Sequence, residues 1–163
     1  MAIIALGLAA LLVAADQLIK YFVVAYLQPV GAVSVIDNLI DLVYYENTGM
    51  SFGMLEGARW IFVIFTAIAM VVMVYLLFRN KNEKKLYYIS IALIIGGGIG
   101  NMIDRILYGY VIDYFRLSFF PPICNFADYC VVVGAILFAV YVLFFSDFFK
   151  SEKKLENTEK IEK

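Results

Sequence analysis

The 163-residue chain has no histidine, which removes the usual general base of serine and cysteine hydrolases and the paired imidazoles of a zinc protease. Hydrolytic chemistry here would have to use carboxylates, lysine or a hydroxyl. Cysteine is almost as scarce. Cys124 and Cys130 are too few for a disulfide framework, and their spacing fits no common metal pattern, so they read as apolar filler and neither metal nor cofactor is expected. Charge is thinly spread: 17% of residues are charged against 64% hydrophobic, with a net charge of -1. The mean hydropathy of +0.87 is far above that of a soluble domain, which leaves a membrane as the solvent for most of the chain. No basic surface for nucleic acid is present.

A bilayer core about 30 Å thick takes around 20 apolar helical residues, so long charge-poor runs are decisive. Four occur, at about 3–26, 60–78, 86–106 and 127–145. They predict an all-α integral membrane protein with four transmembrane helices, joined by short connections into a single antiparallel bundle over residues 1–150. The first run lacks a basic leader and an Ala-x-Ala cleavage site, and so reads as a permanent span rather than a removable signal. Residues 151–163 form a charged, low-complexity tail expected to be solvated.

The basic residues set an orientation. Arg79, Lys81, Lys84 and Lys85 lie between the second and third runs, and the stretch Lys150 to Lys163 carries five lysines, so both are expected on the cytoplasmic side. Gln28 to Gly57 has no Lys or Arg and Leu107 to Pro122 has Arg116 alone, which predicts that both face outward. The Val, Ile and Tyr alternation from Val30 to Tyr45, with Asp37-Asn38 as a turn, predicts a small extracytoplasmic β-hairpin. Pro121-Pro122 marks a break before the last span.

Ionisable groups in membrane helices cost roughly 2.5–3.5 kcal/mol each on insertion scales, so they face the bundle interior and have partners. Asp16 and Lys20 share a helical face at i, i+4, where a self-satisfying ion pair stands beside a functional role. Asn101, Asp104 and Arg105 share another face, behind the glycines of Gly96-Gly97-Gly98-Ile99-Gly100 that let a neighbouring backbone approach. A structural Asp104-Arg105 pair and a binding role are both open. Asp113 and Asp128 have no basic neighbour at pairing distance in sequence, and they flank one external loop. Asp128 alone could serve the helix dipole. As a pair in a protein without histidine, the two suit acid–base hydrolysis, because two confined carboxylates hold one proton between them.

These residues stand in five blocks: Asp16-Gln17-Leu18-Ile19-Lys20, Asn47-Thr48-Gly49-Met50-Ser51-Phe52-Gly53, Gly96 through Arg105, Val111-Ile112-Asp113-Tyr114-Phe115, and Asn125-Phe126-Ala127-Asp128. In that order, on four apolar runs, the chain resembles the lipoprotein signal peptidase (signal peptidase II) family. The resemblance implies that Asp113 and Asp128 are the catalytic dyad of an aspartic endopeptidase. It implies that Asp16, Lys20, Asn47, Gly49, Asn101, Asp104, Arg105, Asn125 and Ala127 shape the surrounding pocket. The implied substrates are diacylglyceryl-modified prolipoproteins, cut just before the lipid-modified cysteine at the outer face of the bacterial cell membrane, among membrane lipids. The outer hairpin would be a cradle for them. One departure is Met50-Ser51, where the family commonly has small or apolar residues.

Two rival readings are a proton-coupled transporter and a noncatalytic lipid-binding subunit. A transporter needs its acid near mid-membrane, whereas Asp113 and Asp128 fall at an end. A noncatalytic subunit gives the pair no cause. A monomer is expected, because one bundle contains every candidate residue.

Overall fold

The structure, a computed structural model, describes residues 1–49 and 59–146. Met50-Ser51 and the tail 151–163 lie outside the described residues. The four charge-poor runs are helices: α1 is Ala2–Phe22, α2 Arg59–Arg79, α3 Lys85–Leu107 and α4 Phe126–Phe145. All four are long and apolar enough to cross a membrane. The first is prolonged by a π-helical turn, Val23–Leu27, in which Gln28 N–H reaches Val23 O five residues back.

Burial divides these helices sharply. On α2 the buried residue is Leu77, while Ile61, Ile64, Phe65, Ile68 and Val71 face outward as a lipid-facing surface requires. In contrast, α3 packs against α1, α2 and α4, and its buried stripe runs from Tyr87 to Asp104. Small residues permit this central position. A Cβ on Gly97 would stand 2.3 Å from the backbone oxygen of Ala127, and one on Gly100 would stand 2.6 Å from Asp16 Oδ2. Glycine therefore sets how closely α1 and α4 approach α3. At the far end of the bundle the core is aromatic, with Tyr87 against Tyr88, Phe138 and Tyr141. The Tyr87 hydroxyl donates to Leu76 O, and the Tyr141 hydroxyl donates to Glu83.

At the other end lies an antiparallel sheet in the order β1-β2-β3-β4, with β1 Ala32–Ile36, β2 Ile40–Asn47, β3 Val111–Leu117 and β4 Phe120–Cys124. The expected hairpin is β1-β2, turning at Asn38 with φ 59°. It is half of a larger sheet, because the segment after α3 forms a second hairpin that pairs with β2. Periodicity could not reveal this, since Val111, Ile112, Asp113 and Tyr114 are all buried and the strand shows no alternation. Pro121 and Pro122 do more than break a helix. They sit in edge strand β4, where a missing N–H costs no ladder bond.

The β2-β3 pairing ties the α1-α2 connection to the α3-α4 connection. Tyr45 lies opposite Asp113 and Asn47 opposite Val111. Asn47 and Asp113 are thus diagonal neighbours on one face of the sheet, within reach of each other.

The close approach at Gly97 is directly testable. Gly97→Val should lower the unfolding midpoint in detergent by the equivalent of about 1–3 kcal/mol, the usual cost of overpacking. Gly7→Ala, whose added Cβ meets nothing within 4 Å, should leave the midpoint unchanged or raise it.

Candidate active site

The first turn of α4 brings the site together. Helix N-termini leave backbone N–H groups without partners, and at a membrane face water cannot be counted on to satisfy them. Here three neighbours supply acceptors. Phe126 N–H donates to the Tyr114 hydroxyl from β3 (3.1 Å), Ala127 N–H to Asp16 Oδ1 from α1 (3.1 Å), and Asp128 N–H to Asn125 Oδ1 (3.0 Å). Asp128 answers by accepting from Asn125 N–H at 3.0 Å, which completes a capping box.

The Asn125 side chain joins the two candidate acids. Its amide nitrogen donates to Asp113 Oδ1 at 2.6 Å and its Oδ1 accepts from the Asp128 backbone N–H, while the Asn125 backbone N–H donates to the Asp128 carboxylate. Asp113 Oδ2 accepts from Asn47 Nδ2 at 2.8 Å, and Asn47 Oδ1 in turn accepts from Gly49 N–H. The other Asp128 oxygen accepts from Asn101 Nδ2 at 2.8 Å. Asp113 is 1% exposed. Burial and then the negative charge of Asp128 push its carboxyl up to about 7. Tyr114, pushed up to about 12 mainly by burial, keeps its hydroxyl proton.

Behind the acids lies a buried ion cluster. Lys20 Nζ stands 2.9 Å from Asp16 Oδ2, 2.8 Å from Asp104 Oδ2 and 2.9 Å from Asn101 Oδ1. Three acceptors satisfy the three ammonium protons. Gln17 Nε2 bridges Asp16, Asp104 and Gly100 O, and Ile112 N–H donates to Asp104 Oδ2. The i, i+4 pair of Asp16 and Lys20 is therefore real but not self-contained. Nor does Asp104 pair with Arg105: adjacent helix positions diverge by about 100°, and Asp104 turns to Lys20. The Arg105 guanidinium lies over Phe62 and makes long contacts to Asn101 O (3.5 Å) and Gly49 O (3.4 Å).

Asp128 opens onto a cavity of about 710 Å³ between α2, α3, α4 and β4, with Asp113 buried behind it. Its walls are mainly apolar, with Phe65, Met70, Gly98, Phe120 and Val132 among them, and its polar end is formed by Asn101, Arg105 and Asp128. Ala127 is fully buried at the base of α4, beside Gly97 and Gly100. All eleven residues singled out in the sequence thus converge on one end of the bundle. Cys124 also lines the cavity, with its thiol pushed up to about 11 by burial, which keeps it protonated.

Comparison with known proteins identifies the family of the chain. The family profile described as signal peptidase (SPase) II matches residues 8–144. The chain belongs to the signal peptidase II family. The family is one of proteases, and the four spans make this member a multi-pass membrane protein. Among its relatives, the lipoprotein signal peptidase of Caldanaerobacter subterraneus subsp. tengcongensis is 39% identical over 86% of this chain and 96% of its own length. That of Lactiplantibacillus plantarum is 42% identical over 81% and 89%, and that of Clostridioides difficile 40% identical over 83% and 91%. A bacterial membrane enzyme solved at 2.3 Å superposes with a TM-score of 0.78 and 29% identity, over 85% of this chain and 87% of the other.

Two contributors carry no sequence signal as site residues. Gln17 and Tyr114 sit inside the family blocks, but an uncharged side chain beside an ionisable one attracts no notice. Only their contacts show that one ties α1 to α3 and the other seats α4 on the sheet.

Two outcomes follow from this geometry. Lys20→Met leaves Asp16 and Asp104 facing each other without a cation, and should cost about 3–5 kcal/mol, read as a lowered unfolding midpoint in detergent. The second concerns pH. Between its ordinary value of 3.8 and about 7, Asp113 holds its proton in the folded state and loses it in the unfolded state. Its contribution to stability therefore falls as pH rises through that window and is flat above it. Thermal unfolding from pH 4 to 8 should show wild type losing stability relative to Asp113→Asn up to about pH 7, with a constant difference beyond.

Proposed function

We propose that the protein cleaves signal peptides from diacylglyceryl-modified prolipoproteins just before the lipid-modified cysteine, with Asp113 and Asp128 as a water-activating pair. The observation that carries this is the placement of the buried Asp113 and the half-buried Asp128 around one asparagine, Asn125, with Asp128 at the polar end of a large apolar cavity. Two acids so confined cannot both ionise easily, and the upward push on Asp113 fits one proton held by the pair at neutral pH.

Hydrolysis then needs no covalent intermediate. The ionised carboxylate takes a proton from water as the water oxygen bonds to the scissile carbonyl carbon, and the protonated carboxyl gives its proton to the carbonyl oxygen. The resulting tetrahedral diol collapses as its hydroxyl proton returns to one carboxylate and the other acid protonates the departing nitrogen. The C–N bond breaks, leaving a carboxyl end on the signal peptide and a free amino group on the lipidated cysteine. Lys20 and Asp16 hold the start of α4. Asn47, Asn101 and Asn125 fix the carboxylates, while Gly49, Asp104, Arg105 and Ala127 shape the pocket.

The charge pattern supports an outward-facing site. The basic α2-α3 connection and the lysine-rich tail belong on the cytoplasmic side by the positive-inside rule, which puts both termini there and the sheet and acids on the opposite face. A lipid-anchored substrate reaches such a site from the outer leaflet, its acyl chains still among lipids and its signal helix against the cavity wall. The protein works as a monomer in this reading.

Purified protein in detergent, given a diacylglyceryl-modified prolipoprotein, should release the signal peptide. Asp113→Asn and Asp128→Asn should each cut the rate by at least about a thousandfold, in line with loss of an essential acid–base group together with water activation, while keeping the wild-type elution profile. Undiminished cleavage by either variant removes that residue from the pair. Equal cleavage of an unlipidated substrate would show that recognition does not depend on the acyl chains.

A further inference from the structure

The two acids are not held alike. Asp113 accepts from two neutral amides, Asn47 Nδ2 and Asn125 Nδ2. Asp128 lies in the first turn of a 20-residue helix, where the dipole favours an anion, and accepts from a backbone N–H and from Asn101 Nδ2. That last donor differs from the rest. Asn101 Oδ1 accepts from both Lys20 Nζ (2.9 Å) and Asn125 Nδ2 (3.0 Å), so its carbonyl is polarised by a buried ammonium. Lysine can only donate, which fixes the amide with its oxygen toward Lys20 and its nitrogen toward Asp128. Hydrogen bonds in series strengthen one another in a low-dielectric interior.

We propose that Lys20 is a positioning residue which acts through the Asn101 amide to hold Asp128 as the ionised, water-activating member of the pair, leaving Asp113 as the proton donor. This rests on the dyad reading above and assigns its two roles. The charged and titratable groups facing Asp128 are Lys20 from α1, Arg105 from α3, Asp113 and Tyr114 from β3 and Cys124 from β4, with Tyr129 on its own helix. Of these, Lys20 is the cation joined to Asp128 through a single intervening side chain. Arg105 touches neither carboxylate by hydrogen bond and contributes through space.

The assignment predicts which limb of the pH profile moves. On the acid side kcat/KM falls as the base becomes protonated; on the alkaline side it falls as the donor loses its proton. Asn101→Leu keeps Lys20 paired with Asp16 and Asp104 while cutting the path to Asp128. Its acid limb should move up by about one pH unit, a roughly tenfold loss of kcat/KM on that side, with the alkaline limb in place and KM little changed. Lys20→Met should move the same limb, and the double variant should move it no further than the larger single shift. Additive shifts would mean that Lys20 acts through space, which overturns the relay. An alkaline limb that moves instead would reverse the roles. If Lys20→Met does not fold, Asn101→Leu decides alone: a lower unfolding midpoint with both limbs unmoved reduces Asn101 to a structural role and ends the proposal. Cleavage that persists in Asp113→Asn or Asp128→Asn overturns the dyad itself, an outcome separate from any shift in the limbs.

Discussion

The ammonium of Lys20 is the interaction on which the rest of this end of the molecule depends. It is 2% exposed and shared among Asp16, Asp104 and Asn101, which come from two helices. Inside a membrane a lone ammonium or carboxylate is costly, and two carboxylates without a cation are worse. With Lys20 between them, Asp16 is free to accept from Ala127 N–H, and Asp104 from Ile112 N–H. The first contact seats α4 and the second seats β3, the two elements that carry Asp128 and Asp113. A buried charge cluster thus positions the elements that carry the two carboxylates.

The sheet contributes in a complementary way. Bundle helices can bring side chains together only along their shared faces, and Asp113 lies beyond the end of α3. Pairing β3 with β2 fixes its direction and puts Asn47 diagonally beside it, so a residue from the α1-α2 connection becomes a partner of a residue from the α3-α4 connection. On its opposite face β3 buries Ile112 and Tyr114 against Val23 and Leu27 of the π-helical turn, which anchors the strand to the top of α1. Glycines then finish the fit. At Gly97 and Gly100 any side chain would strike Ala127 or Asp16, so the distance between α3 and the start of α4 is set by the absence of a Cβ.

Much of this was legible from the chain. Spans announce themselves because a bilayer demands about 20 apolar residues whatever their order, so hydropathy needs no tertiary context. Asp16, Lys20, Asn101, Asp104, Asp113 and Asp128 were conspicuous for the converse reason, as polar groups that an apolar environment does not tolerate without cause. The β1-β2 hairpin showed through its turn and alternation. The second hairpin did not, because a strand buried on both faces has no alternation, and its prolines read only as a stop. Gln17 and Tyr114 were silent, since a neutral side chain gives no sign of need until its partner is known.

Partnership was the deciding gap. The sequence by itself determined the four spans, the lack of any imidazole chemistry and which polar residues stand out as candidates, because these follow from composition and from the contrast between polar groups and their apolar surroundings. Only the tertiary structure decided that Asp104 answers Lys20 rather than its neighbour Arg105, that Asn125 touches both Asp113 and Asp128, and that Asn101 stands between Lys20 and Asp128. Those contacts join residues far apart in the chain, and hydrogen bonding depends on distance and direction in space, which no one-dimensional pattern records.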